Sequence, residues 1–192
     1  MDTLQNNPFS LEYGPGEDKD VQLMSSDGVV FHVQRYLLAH TSPVFKDMFL
    51  VGNGPLQIAV SEDSKTLAHF LRFFDPTKEI QRMQVKDAIP LLEAARKYQV
   101  QHIFKWWAKG ILGKGRVPTD EAMDCLALAL RHNLHRAAGI AFESAIGAPE
   151  SELQSTLPIT DHEILNQLIK LRAERKDGIF KLLHEGLTLR KE

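Results

Sequence analysis

Near its start the chain alternates apolar and polar residues in two short runs. Val21 and Leu23, then Val29, Phe31 and Val33, occupy every second position, the period of a half-buried strand. Ser25-Ser26-Asp27-Gly28 lies between them, and an Asp-Gly pair flanked by alternating segments signals a hairpin. Leu56, Ile58 and Val60 share a face in the same way after the loop Gly52-Asn53-Gly54-Pro55, so a third strand is expected there. The remaining apolar positions follow another rhythm.

They recur every three to four residues, as on the buried face of a helix. Arg35 to His40 reads as a short helix that stops at Thr41-Ser42-Pro43. Ser42 then caps a second helix through Phe49, with Pro43 at its first position. Leu67, Phe70, Leu71 and Phe74 form the next stripe, and Asp75-Pro76 is expected to end it, because a residue before proline leaves the helical region. Leu91, Ala94, Ala95 and Tyr98 repeat the stripe, with Asp87 as the expected N-cap and Pro90 in the first turn. Phe104, Trp107, Ala108 and Ile111 give another copy before Gly113-Lys114-Gly115-Arg116-Val117-Pro118, the clearest linker.

Beyond the linker, Met123, Leu126, Ala127 and Leu130 mark a helix, and Leu134 to Ile146 a second one, interrupted by Gly147-Ala148-Pro149. Thr160-Asp161-His162-Glu163 reads as a capping box ahead of Ile164, Leu165, Leu168 and Leu171. That helix is expected to reach Lys176 and to break or kink at Asp177-Gly178. Residues 1–19 are polar and rich in turn formers, as in a loosely ordered arm. No internal repeat suggests a solenoid.

Composition narrows what such a chain does. At 43% hydrophobic and 25% charged over 192 residues, it can build a core without disulfide or metal staples. The 23 Lys and Arg against 25 Asp and Glu leave no basic excess of the kind that phosphate-backbone binding needs. The lone Cys125 excludes an internal disulfide and a four-cysteine zinc site. No apolar run reaches the roughly 18 residues of a membrane span, and the polar start is not that of a signal peptide. The expectation is a protein inside the cell, cytoplasmic or nuclear, with no membrane contact.

Catalytic chemistry has little to start from. Of eight histidines only His132 and His135 have helical ligand spacing, and no carboxylate cluster accompanies them. A solvated helix face is the simpler reading. Cys125 sits on a core stripe between Asp124 and Leu126, where a free cysteine is ordinarily a small buried hydrophobe. No nucleophile elbow occurs, and Gly110, Gly113 and Gly115 do not form a phosphate loop. The sequence therefore calls for no enzyme activity, no metal and no cofactor. Lys105-Trp106-Trp107-Ala108-Lys109 mixes aromatic and basic residues. Trp107 belongs to the core stripe, however, so Trp106 is left as a surface aromatic, the type of anchor that a protein interface uses. A role beside nucleic acid is the weaker alternative.

Four motifs stand in a telling order. Asp20-Val21-Gln22-Leu23 matches a D-V-x-L strand; Phe31-His32-Val33-Gln34-Arg35-Tyr36-Leu37-Leu38-Ala39 is similar to F-x-V-H-[KR]-x-x-L-A. Thr41 to Phe49 matches x-S-x-x-F-x-x-M-F, and Leu92 to Val100 matches L-x-x-A-x-K-Y-x-V. Over residues 20–112 the chain thus resembles the BTB/POZ domain, and most of all the BTB-containing proteins of fungi that carry a helical tail. The resemblance implies an α+β fold, a five-helix cluster capped by a small three-stranded sheet, followed here by an all-helical extension. It implies a non-catalytic protein–protein interaction module that forms homodimers, hetero-oligomers or adaptor contacts to cullin-3 ubiquitin ligases.

Two positions depart from the pattern. Gln34 stands where the family usually has His, and Leu50-Val51-Gly52-Asn53-Gly54 lacks the hydrophobic-x-Glu motif of many cullin-3 adaptors. The second departure argues against the ligase-adaptor alternative. In dimeric transcription factors of the family, the residues matching Asp20 and Arg35 line a charged pocket at the dimer groove. Burying such a pair costs desolvation that attraction need not recover, so its presence points to partner specificity or, more simply, to Asp20 holding the sheet against Arg35. The arm is too short and irregular to supply the swapped helix and strand of those dimers. The expected organisation is an arm at 1–19, a BTB/POZ domain at 20–112, a linker at 113–118 and a helical extension at 119–192. Asp20, Arg35 and Trp106 are the interface candidates, and the expected partners are proteins, a second copy included.

Overall fold

A computed structural model describes residues 21–51, 57–75, 79–80, 83–153 and 162–188. The hairpin forms where the alternation puts it. Strand β1 (Val21–Met24) pairs antiparallel with β2 (Val30–Val33), with Val21 opposite Val33 and Leu23 opposite Phe31. These four side chains are buried while Gln22 and His32 on the other face are half-buried. The turn closes through Gly28, whose φ of +83° suits a residue without Cβ, and its N–H donates to the Ser25 carbonyl at 3.0 Å.

Strand β3 (Gln57–Ala59) pairs with β1 in parallel, giving the order β2-β1-β3. A parallel neighbour needs a crossover rather than a tight turn. Helices α1 (Arg35–Thr41) and α2 (Pro43–Val51) lie in that crossover. Only Ser42 separates them. Its hydroxyl accepts the Phe45 N–H at 3.2 Å, so the expected cap with Pro43 behind it is present.

Helix α3 (Ser64–Leu71) is capped by Asp63, which accepts the Thr66 N–H at 2.7 Å. It ends before the Asp75-Pro76 stop. Phe73 and Phe74 donate to the carbonyls of Phe70 and Leu71 at 3.1 and 3.0 Å, and these i→i−3 bonds tighten the chain into a turn that keeps both rings buried. Helix α4 (Val85–Lys97) starts at Gln84, not at Asp87 as the sequence suggests. Asp87 instead lies within the first turn, beside the positive end of the helix, and pairs with Lys65 at 2.6 Å. Pro90 therefore falls in the second turn, on an exposed position. There the carbonyl left without a helical donor can meet water.

The chain divides into two compact units, Met1–Trp107 and Ala108–Glu192, and the division falls within helix α5 (Gln101–Leu112). The first unit has its core where sheet and helices converge, with Leu23, Phe31, Phe45, Phe70, Leu92 and Ile103 almost fully buried. In the second unit, α6 (Ala122–Arg131) is buried nearly all round, and α7 (His135–Gly147) buries the small residues Ala137, Ala138, Ala141 and Ala145. Alanines at helical spacing let neighbouring backbones approach closely. Asn133 takes φ +56°, and Leu134 donates to the Ala129 carbonyl at 2.8 Å, a left-handed stop to α6.

The linker segment is held down at Val117, whose N–H donates to Ser144 Oγ at 3.0 Å. Helix α8 (His162–Thr188) is continuous through Asp177-Gly178, where the sequence suggested a break. A lone glycine costs a helix only about 1 kcal/mol relative to alanine, too little to stop one by itself. The capping-box residues Thr160 and Asp161 lie outside the described residues.

Candidate interaction surface

Arg35 opens α1 and reaches the far end of α2. Its Nη2 donates to the Phe49 carbonyl at 2.8 Å, and its guanidinium lies 4.8 Å from the centre of the Phe49 ring. The carbonyls at a helix C-terminus carry the negative end of its dipole, so an arginine there braces the two helices. The other half of the charged pair suggested by the sequence, Asp20, lies outside the described residues.

Around this brace the helices expose large apolar side chains. Tyr36 is 70% exposed, Met48 41% and Leu50 75%. These are three of the five large hydrophobic residues exposed among the described ones, and they fall within one helix pair. Tyr36 also stacks on His40 at 5.7 Å, one turn along α1. Isolated apolar residues on a surface mean little, whereas several on one helix pair make that pair a candidate interaction surface. Sequence reasoning picked Arg35 and missed these neighbours. The available signal was that Leu50, five residues after Phe45, is turned about 140° from it around α2.

Trp106 is half-buried and meets Phe73 edge-on at 5.1 Å. His102, one turn earlier, places Nε2 3.1 Å from the Phe73 carbonyl. Trp106 is thus fastened to the turn after α3, while Arg35 is fastened to the end of α2. The two candidates have different partners.

A polar network holds the scaffold beneath the exposed helices. Ser42 Oγ donates to the Tyr98 carbonyl at 2.6 Å in a buried bond. The Tyr98 ring stacks on Phe45 at 4.7 Å, and its hydroxyl donates to Glu62 Oε2 at 2.8 Å. Lys97 Nζ reaches Glu62 Oε1 at 3.0 Å. Burial pushes the Glu62 carboxyl up, but the hydrogen bonds from Lys97 and Tyr98 outweigh it and hold the group below its ordinary value. Burial, reinforced by the Glu62 charge, raises the Tyr98 phenol. At the hairpin, Asp27 accepts from Ser25 Oγ and Ser64 Oγ at 2.6 Å and from the Ser64 N–H at 2.9 Å, which lowers its carboxyl. Asp27 thereby ties the β-turn to the start of α3.

The residues considered for chemistry are separately placed. Burial pushes the Cys125 thiol up to about 12, so it carries almost no thiolate at neutral pH. His132 closes α6 and His135 opens α7. Among the described residues no group of three His, Cys, Asp or Glu side chains is arranged to hold a metal ion. No described helix is long and apolar enough to cross a membrane.

Comparison with known proteins adds a family. A family model, the BTB/POZ domain, matches residues 13–111. Among solved structures the chain is similar to the BTB domain of zebrafish PATZ1, at 19% identity and a TM-score of 0.42, covering 50% of this chain and 76% of that one. No curated protein matches.

Proposed function

We infer the function from the family: the chain belongs to the BTB/POZ-domain proteins, whose common domain is a protein-interaction module, generally without catalysis. On this reading residues 20–112 bind another protein, and the helical extension at 119–192 is carried with them. The docking face is the α1–α2 pair. The observation that carries it is the exposure of Tyr36, Met48 and Leu50 around a pair of helices that Arg35 already locks together. Apolar anchors on a preformed surface bind without first ordering a loop, which is where association loses much of its free energy. Arg35 acts as the brace of that face, Asp20 is the other candidate of the charged-pocket reading, and Trp106 serves as a second contact point. The protein would do this inside the cell, in cytoplasm or nucleus.

Self-association is the first partner to test. Light scattering of the purified chain across a wide dilution range should give a mass near twice 21.7 kDa if a second copy occupies the face. The double variant Tyr36→Glu/Leu50→Glu, both positions being exposed, should return it to the monomer without loss of folded signal. A monomer throughout would leave the face to a different protein, and capture from lysate by wild type but not by the double variant would then identify it. If the double variant changes neither mass nor capture, the α1–α2 face is not the docking site.

A further inference from the structure

Helix α8 runs for 27 residues, yet of its described side chains, at positions 164–177, Leu168 alone is buried. Leu168 joins Ala122, Met123 and Ala145 in a small core, against which Leu165 is partly packed. Ile169, next along the helix, is 66% exposed. Beside these residues lies an open groove of about 690 Å³, floored by Met123, Ile146, Leu153, Leu165 and Leu168.

One end of the groove is cationic. Arg172, Arg175 and Lys176 line it against the single acid Glu150. Arg172 is already committed: its Nη1 takes the carbonyls of Ala145 and Ala148 at 2.6 and 2.7 Å, closing the C-terminus of α7. Of the two acids among the described side chains of α8, Glu174 lies 4.0 Å from Lys170, and Asp177, after Lys176, is not part of the groove lining. Arg175 and Lys176, both exposed, therefore give the groove a net positive end over an apolar floor.

We propose that this groove binds a short amphipathic helix of a partner protein, with acidic residues beside its apolar stripe. Leu165, Leu168, Arg172 and Lys176 follow one another at three- and four-residue steps, so the groove tracks α8 for about three turns, roughly 16 Å. A helix laid alongside presents apolar side chains at the same spacing over that length. The charge of Arg175 and Lys176 selects an acidic flank and rejects a basic one. An acyl chain is less suited to the site, since it requires an enclosed cavity to cover most of its surface.

The test uses the full chain and a fluorescein-labelled peptide of about 14 residues, leucine at i, i+3, i+4 and i+7 with glutamate between. A matched peptide has lysine for every glutamate, and laurate serves as a competing anionic amphiphile. Fluorescence anisotropy should show the acidic peptide binding at least about tenfold tighter than the basic one, with the preference shrinking in salt. Ile169→Asp and the double variant Arg175→Glu/Lys176→Glu should each weaken it by at least about tenfold, with helical circular dichroism unchanged because all three positions are exposed. If Ile169→Asp unfolds the chain, the charge variant decides alone. Equal affinity for the two peptides, or indifference to the variants, overturns the proposal. So does laurate that displaces the peptide and shows the same dependence on Arg175 and Lys176, since the site would then be one for lipid.

Discussion

The Ser42 hydroxyl and the Tyr98 carbonyl, 56 residues apart, share a buried hydrogen bond of 2.6 Å. The same hydroxyl accepts the Phe45 N–H, and Phe45 stacks on the Tyr98 ring. One serine therefore caps α2, fixes the end of α4 and aligns two aromatic rings. Ser42→Ala orphans the Phe45 N–H and the Tyr98 carbonyl together. A buried hydrogen bond left half-made costs about 1–3 kcal/mol. Urea denaturation should show a loss in that range with an unchanged slope, and a loss under about 0.5 kcal/mol, the scatter of surface substitutions, would mean that neither bond matters to the fold.

This bond also explains why the family motifs were legible. The Ser and Phe of the third motif and the Tyr of the fourth meet in one contact, so each is a residue that few others can replace. The stripes were readable for the same kind of reason: Leu67, Phe70, Leu91 and Ile111 are buried at helical spacing. Asp87 misled because it has the chemistry of a cap, yet Val85 is buried two residues earlier and pulls the helix start back to Gln84. Glu62 was invisible in sequence. Nothing local marks it, and its role depends on Lys97 and Tyr98, which arrive from another helix.

Acid should loosen the link between α3 and α4. Glu62 is held below its ordinary value of 4.5 in the folded chain. A carboxyl with a depressed folded-state value adds stability above its unfolded value, and loses it as pH falls towards the folded one. Stability should therefore decline as pH drops below about 4.5, the ordinary value of a glutamate carboxyl. Glu62→Gln keeps the shape but removes the titration, so its stability should fall less steeply over the same range. Asp27, also depressed by its Ser25 and Ser64 bonds, supplies part of the remaining slope. Parallel wild-type and variant curves between pH 3 and 5, the range in which carboxylates titrate (~4), would remove Glu62 from this account.

Left-handed positions occupied by residues other than glycine are places where stability can be gained. Gln99 has φ +57° just after α4, and Asn133 has φ +56° just after α6. Val100 donates to the Ala95 carbonyl at 2.8 Å across the first of these turns. Glycine carries no Cβ penalty there, so Gln99→Gly should stabilise by about 0.5–1 kcal/mol. Asn133→Gly should gain less, because asparagine tolerates this conformation better than glutamine. Thermal melts should rank Gln99→Gly above Asn133→Gly above wild type. A lower midpoint for Gln99→Gly would show that its side chain contributes more than the turn loses.

The continuity of α8 makes the most direct contrast with the sequence pattern. Asp-Gly is a turn signal in an alternating context, as it is at Asp27-Gly28, where Gly28 has a positive φ. At Asp177-Gly178 the same pair lies inside a helix that continues to Thr188. The difference is the flanking period: strands on both sides in one case, three- and four-residue spacing on both sides in the other. In a continuous helix Gly178→Ala removes backbone freedom from the unfolded chain and should stabilise by about 0.5–1 kcal/mol, with a matching rise in helical circular dichroism. Were Gly178 instead a left-handed break, alanine would be strained there and the same substitution would destabilise by a similar amount. The sign of one measured midpoint shift thus distinguishes a single long helix from two short ones.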